Sequence, residues 1–207
     1  MTLESSKNLG GVGALLMVIG SLGFLGVYTS ILSLIGLILV LMSLNGLANH
    51  YNERGIFNYA LYGILTVIVG AVVTGGIVFV SLLDFLSEIG ISLTDVAALT
   101  RVDLQRLVTL EAVWPFLTGL VLALVVLFVV LVISSFLIKK SLDLTSAKTG
   151  VGMFHTAGLL LLIGAFLTII IIGFLLMFIA LILLIVAFFR IRTQPAAAPS
   201  PPPAPPQ

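Results

Sequence analysis

The chain has no cysteine. That absence removes thiol catalysis, Cys-ligated zinc and Cys-ligated iron–sulfur clusters, and it is silent on redox compartment. Charge is scarce too. Nine Lys and Arg and eight Asp and Glu make up 8% of 207 residues, with a formal net charge of +1. A soluble domain is usually about 25% charged and about 45–50% apolar. This chain is 60% hydrophobic, with a mean hydropathy of +1.33. An ordinary soluble domain and a wholly disordered chain are both excluded. The near-neutral balance gives no pointer to nucleic acid or to an acidic ligand. What remains is the composition of an all-α polytopic integral membrane protein, with the lipid bilayer as its first partner.

A bilayer span needs about 20 predominantly apolar residues. The apolar runs cover about 11–27, 31–48, 56–83 and 115–138, followed by one long stretch over 153–189. The opening ten residues are polar, with Glu4 and Lys7, and lack the pattern of a signal peptide, so the first run is expected to be retained. A short turn at Tyr28, Thr29 and Ser30 separates the first two runs, and the polar loop Asn49 to Arg54 separates the second and third. Trp114 and Pro115 are expected to open the fourth helix, since Trp favours the membrane interface and Pro a first helical turn. Lys139 and Lys140 are expected to close it, with a polar loop running on to about Gly152.

The stretch over 153–189 is too long for one span, because its 37 residues would make a helix of about 55 Å against an apolar core of about 30 Å. An ungapped internal match at an offset of 144 residues favours a hairpin instead. It lays Leu15 and Leu16 on Leu159 and Leu160, Ile19 and Gly20 on Ile163 and Gly164, and Leu37 to Leu39 on Leu181 to Leu183. It also carries Tyr28–Ser30 onto Ile172–Phe174, which makes Gly173 the expected break and gives spans over about 154–171 and 174–189. Charge agrees. With six spans and both termini cytoplasmic, Lys7, Arg54, Lys139, Lys140, Lys148, Arg190 and Arg192 fall inside, and only Arg101 and Arg106 fall outside.

The segment 84–112 differs from the rest. It holds Asp84, Glu88, Asp95, Asp103 and Glu111, and Thr100 with Asp103 resembles a capping box. Amphipathic helices on the outer membrane surface are expected there, a solvated loop with one helical turn being the alternative. Residues 193–207, rich in Pro and Ala, read as a disordered or polyproline II tail.

Chemistry-bearing patterns are few. No charge falls in the middle of a run, which argues against ion coupling through buried carboxylates. His50, His155 and Glu53 are a conceivable metal trio, but the two histidines sit in different loops, and solvated interfacial histidines fit better. There is no Gly-x-Ser-x-Gly elbow, and the stretch Gly10 to Gly13 lacks the Gly-Lys-Ser/Thr of a phosphate loop. No catalytic residue, cofactor or metal is therefore expected, and the chain is read as not an enzyme.

Glycine is more informative. Gly20, Gly23 and Gly26 recur every three residues in the first run, and Ala71 with Gly75 is a small-xxx-small pair in the third. Small residues let helix backbones approach closely, either within the chain or at a homo-oligomer seam. Hydroxyls inside the runs, such as Ser33, Ser43, Thr66, Thr74, Thr118, Ser134 and Ser135, can bond to backbone or across helices.

The opening Leu3-Glu4-Ser5-Ser6-Lys7-Asn8-Leu9-Gly10-Gly11-Val12-Gly13 resembles the start of the family known as domain of unknown function 996, and 154–189, with Gly158, Gly164 and Gly173, resembles its second half. The resemblance covers about 1–192 and implies a small, largely archaeal polytopic membrane protein. It transfers no catalytic or binding role. The expected function is a non-enzymatic helix-packing or interaction component of the cell membrane. A small channel or facilitator for a neutral or apolar solute is the alternative.

Overall fold

The computed structural model describes residues 2–22, 27–88, 110–170 and 172–192. They form six α-helices, and no strand occurs among them. In chain order these are α1 (Leu3–Ser21), α2 (Val27–His50), α3 (Gly55–Glu88), α4 (Leu110–Thr149), α5 (Met153–Leu167) and α6 (Ile172–Phe189), with a single 3₁₀ turn, Thr168–Ile170, after α5. Five of the six, all but α1, are long and apolar enough to cross a membrane. Over its described residues α1 carries Glu4 and Lys7 in its first turns.

Local chemistry sets the ends. Thr2 caps α1 by accepting the Ser5 N–H at 3.2 Å, with Glu4 in the first turn to complement the helix dipole. Between α2 and α3, Asn52 takes a left-handed conformation (φ 54°), which Asn tolerates better than most residues, and Glu53 N–H returns to the Ala48 carbonyl at 2.9 Å. Gly150 ends α4 in the same region (φ 71°), its N–H bonded to the Ser146 carbonyl at 2.9 Å.

Several expected boundaries shift. The hairpin over 153–189 is present, but α5 gives way to the 3₁₀ turn Thr168–Ile170, and Gly173 lies inside α6. Residues 28–30 are not a turn; they belong to α2. Residues 139–149 are not a loop either, because α4 runs on to Thr149. Pro115 is inside α4 instead of at its start, at the loss of one backbone hydrogen bond. Asp84 and Glu88 extend α3; the remainder of the expected outer segment, residues 89–109, and the tail, residues 193–207, lie outside the described residues.

The helices alternate in direction and close a ring in chain order: each packs on the next, and α6 packs on α1. Three antiparallel hairpins, α1/α2, α3/α4 and α5/α6, make the closest pairs. The buried core gathers at one end, where α1, α3 and α5 begin and α2, α4 and α6 finish. Leu44, Leu47, Ile56, Leu142, Phe154, Leu184, Phe188 and Ile191 fill it. Phe154 and Phe188 meet edge to face with centroids 5.1 Å apart, a geometry that adds about 0.5–1.5 kcal/mol to area burial. At this closed end lie all seven basic residues Lys7, Arg54, Lys139, Lys140, Lys148, Arg190 and Arg192.

Length differences open the other end. With 34 and 40 residues, α3 and α4 reach about 50–60 Å, and α5 and α6, with 15 and 18, reach about 22–27 Å. The α3/α4 pair therefore runs on alone past the shorter hairpins, joined there by Ser81 against Gly119 and by Phe85 and Phe116, 5.3 Å apart.

Candidate functional site

The features open to function fall into three groups: close backbone contacts, a polar layer at the closed end, and exposed small residues on α3.

The close contacts explain most of the glycines. A Cβ built on Gly13 would lie 2.7 Å from the Gly36 carbonyl oxygen, so α1 and α2 touch backbone to backbone. At Gly20, one of the residues expected at a packing seam, a Cβ would lie 2.5 Å from the Ser33 backbone nitrogen. In the other hairpin a Cβ on Gly164 would fall 2.9 Å from both the Gly173 oxygen and the Met177 side chain. The offset of 144 residues carries Gly20 onto Gly164 and Ser33 onto Met177, so the internal match is realised as equivalent contacts in two hairpins. Gly10 and Gly11 receive the rings of Phe188 and Phe189, which joins α1 to α6. Gly63 and Gly70 accept Ile138 and Val130 from α4. Gly23 and Gly26 lie outside the described residues.

Ala71 and Gly75 behave differently. Both are exposed, and among the described residues nothing lies within 4 Å of where a Cβ of Gly75 or Gly76 would be. Val72 beside them is 71% exposed. Among the described residues, Gly75 and Gly76 have no neighbour seated on them, and Ala71 is exposed.

The polar layer is built from hydroxyls that reach across helices to main-chain oxygens. Ser43 donates to the Ser6 carbonyl at 2.6 Å, Ser134 to the Gly63 carbonyl at 2.9 Å, and Ser141 to the Ile56 carbonyl. Thr66 and Thr118 donate to carbonyls of their own helices, and the Thr74 hydroxyl is buried with no hydrogen-bond partner among the described residues. Sequence reasoning flagged Ser43 and Ser134 but missed Ser141, which lies beyond the expected end of the fourth span.

Some of the charges of this layer are paired. Lys139 and His155 both hold Asp143, the latter at 2.8 Å, and Lys148 meets Glu53 at 3.3 Å. Lys140 lies 5.2 Å from the centroid of the Tyr59 ring, within cation–π range. Desolvation by burial pushes the Tyr51 phenol up from its ordinary value, so it stays neutral, and its ring meets His50 edge-on at 5.0 Å. His50, Glu53 and His155 thus each have a different neighbour. Among the described residues no group of three or more His, Asp or Glu is placed to hold a metal ion. Arg190 and Arg192 stand apart, beside a cavity of about 550 Å³ at the α4–α5 loop.

A ring of six α-helices, five of them apolar enough for a bilayer, held by interhelical hydroxyls and glycine contacts, is compatible with a membrane protein of the helical class. The chain belongs to the family described as protein of unknown function DUF996, whose family model matches residues 32–182. It is 32% identical over 195 residues, 92% of its own length and 94% of the relative's, to the uncharacterised protein MJ1644 of Methanocaldococcus jannaschii. No solved structure matches it.

Proposed function

We propose that the chain is an integral membrane protein of six spans with both termini cytoplasmic, and that it acts without catalysis, as a helix-packing component that associates with a second copy of itself. The orientation follows from the seven basic residues at the closed end and the preference of short cytoplasmic loops for Lys and Arg. Five apolar helices support insertion directly. As the sixth, α1 is supported by its backbone contact with α2 at Gly13 and Gly36.

The observation that carries self-association is the unfilled surface around Ala71, Gly75 and Gly76. A glycine inside a helix costs about 1 kcal/mol relative to alanine. Elsewhere in the bundle that cost is offset by a neighbour seated on the glycine, and here no neighbour is present among the described residues. A second helix of equal smoothness can approach this face closely, which is how small residues drive association in lipid. The alternative, a small channel or facilitator for a neutral or apolar solute, has less support, since Phe154, Phe188, Leu47 and Ile56 fill the interior of the closed end.

The test is the oligomeric state in mild detergent, measured by light scattering with mass corrected for bound detergent. The native chain is expected as a dimer or larger, and the Gly75→Leu, Gly76→Leu double variant as a monomer with unchanged helix content. A monomeric native chain would sink the proposal.

A further inference from the structure

We infer that the cavity between the α4–α5 loop and the end of α6 is a binding site for a phosphate-bearing anion, the headgroup of an anionic lipid in the first place. The lipid source rests on the membrane reading above; the site itself does not.

The cavity, about 550 Å³, is lined by Thr149, Gly150, Val151, Gly152, Met153, Arg190 and Arg192. That volume lies in the usual range for small-ligand pockets. Its placement comes from the fold. Ile191 is 1% exposed and sits in the core, and its N–H is tied to the Phe188 carbonyl at 3.2 Å. The buried Ile191 anchors the chain between the two arginines and leaves both side chains at the surface beside the loop.

Two guanidinium groups meet at this one cavity. At the closed end Lys139, His155 and Lys148 are matched by Asp143 and Glu53. Among the described residues no carboxylate forms an ion pair with Arg190 or Arg192. The lining contains two guanidinium groups and no acid. Guanidinium matches phosphate oxygens in a two-pronged geometry that ammonium does not offer. Gly150 and Gly152 also line the cavity, and among the described residues a Cβ on either would have nothing within 4 Å. The cavity also lies at the polar end of α6, where its apolar run stops and phosphates of a cytoplasmic leaflet would be met.

The experiment uses the full chain in nanodiscs of phosphatidylcholine doped with phosphatidylglycerol, and reads by native mass spectrometry which lipid stays bound. The native chain is expected to retain phosphatidylglycerol preferentially, and Arg190→Gln with Arg192→Gln to weaken that preference by about tenfold. Gly152→Leu obstructs the cavity without changing charge; its backbone is α-helical (φ −59°) and its Cβ is unobstructed, so the variant should fold and lose the preference as well. Lys7→Gln with Arg54→Gln removes two cations of the same end that do not line the cavity, and should retain it. A preference that survives the arginine or glycine variants, or falls equally with Lys7 and Arg54, overturns the site. In a second arm, millimolar inorganic phosphate is added to the chain in pure phosphatidylcholine. A rise in melting temperature that is absent in the arginine variant supports the site and assigns it to a free anion. No response in either arm overturns it.

Discussion

At Gly13 and Gly36 the fold depends on a missing side chain. The backbone contact between them leaves no room for a Cβ, and the obstacle is main chain that cannot rotate away. Gly13→Leu should therefore lower stability by about 1–3 kcal/mol or more, as overpacking of a closed contact does. Gly75→Leu adds the same atoms to open space and should leave monomer stability unchanged or raised by up to about 1 kcal/mol through helix propensity. Unfolding titrations of both variants in mild detergent check the contrast, and equal losses would refute the assignment of these positions. Only part of this was legible in the sequence. The run Gly20, Gly23, Gly26 drew attention to α1, yet Gly13 and Gly36 are single glycines in separate helices, and nothing local marks them as partners. Ala71 and Gly75 were legible as a small pair. Which surface they meet depends on where α4 lies, and that is a tertiary fact.

At the scale of the helix, hydropathy found every apolar run and misjudged where several of them end. The hairpin after Gly152 was legible because the offset repeat brought a known helix pair onto an ambiguous stretch. The last turns of α4 were not, since Lys139, Lys140, Asp143 and Lys148 look like a loop when counted by polarity. They are helical because their charges are met by His155, Glu53 and the Tyr59 ring from neighbouring elements. Hydroxyls on the same turns, Ser141 and Thr145, are buried against α3 and α4 carbonyls. The long α3 and α4 place Ser87 and Ala147 at opposite ends of one bundle. Single cysteines there should be labelled by an impermeant maleimide from opposite sides of sealed vesicles. Labelling of both from one side would contradict a membrane-crossing α3/α4 hairpin.

For the whole molecule, the two ends have different physical characters. The closed end has a packed core, paired charges and the arginine-lined cavity, and it holds the ring together. Among the described residues, the far half of α3 and α4 is held mainly by the two helices facing each other, with the end of α5 reaching α4 at Phe128 and Phe166, and its outer surfaces are apolar and exposed, with Val72 and Val121 at 71% and 60% exposure. In a bilayer, lipid satisfies apolar surface well, so exposure alone selects no partner. What distinguishes one face from the other is shape: Ala71, Gly75 and Gly76 make α3 smooth, whereas the α4 face around Val121 carries Leu122, Leu124 and Val125. Association through α3 should therefore be specific to that face. The absence of natural cysteine makes this directly measurable. Single-cysteine variants Val72→Cys and Val121→Cys are expressed in native membranes, oxidised, and separated without reductant. Self-association through α3 predicts a disulfide-linked dimer for Val72→Cys and monomer for Val121→Cys. Monomer for both, or equal dimer for both, would contradict it.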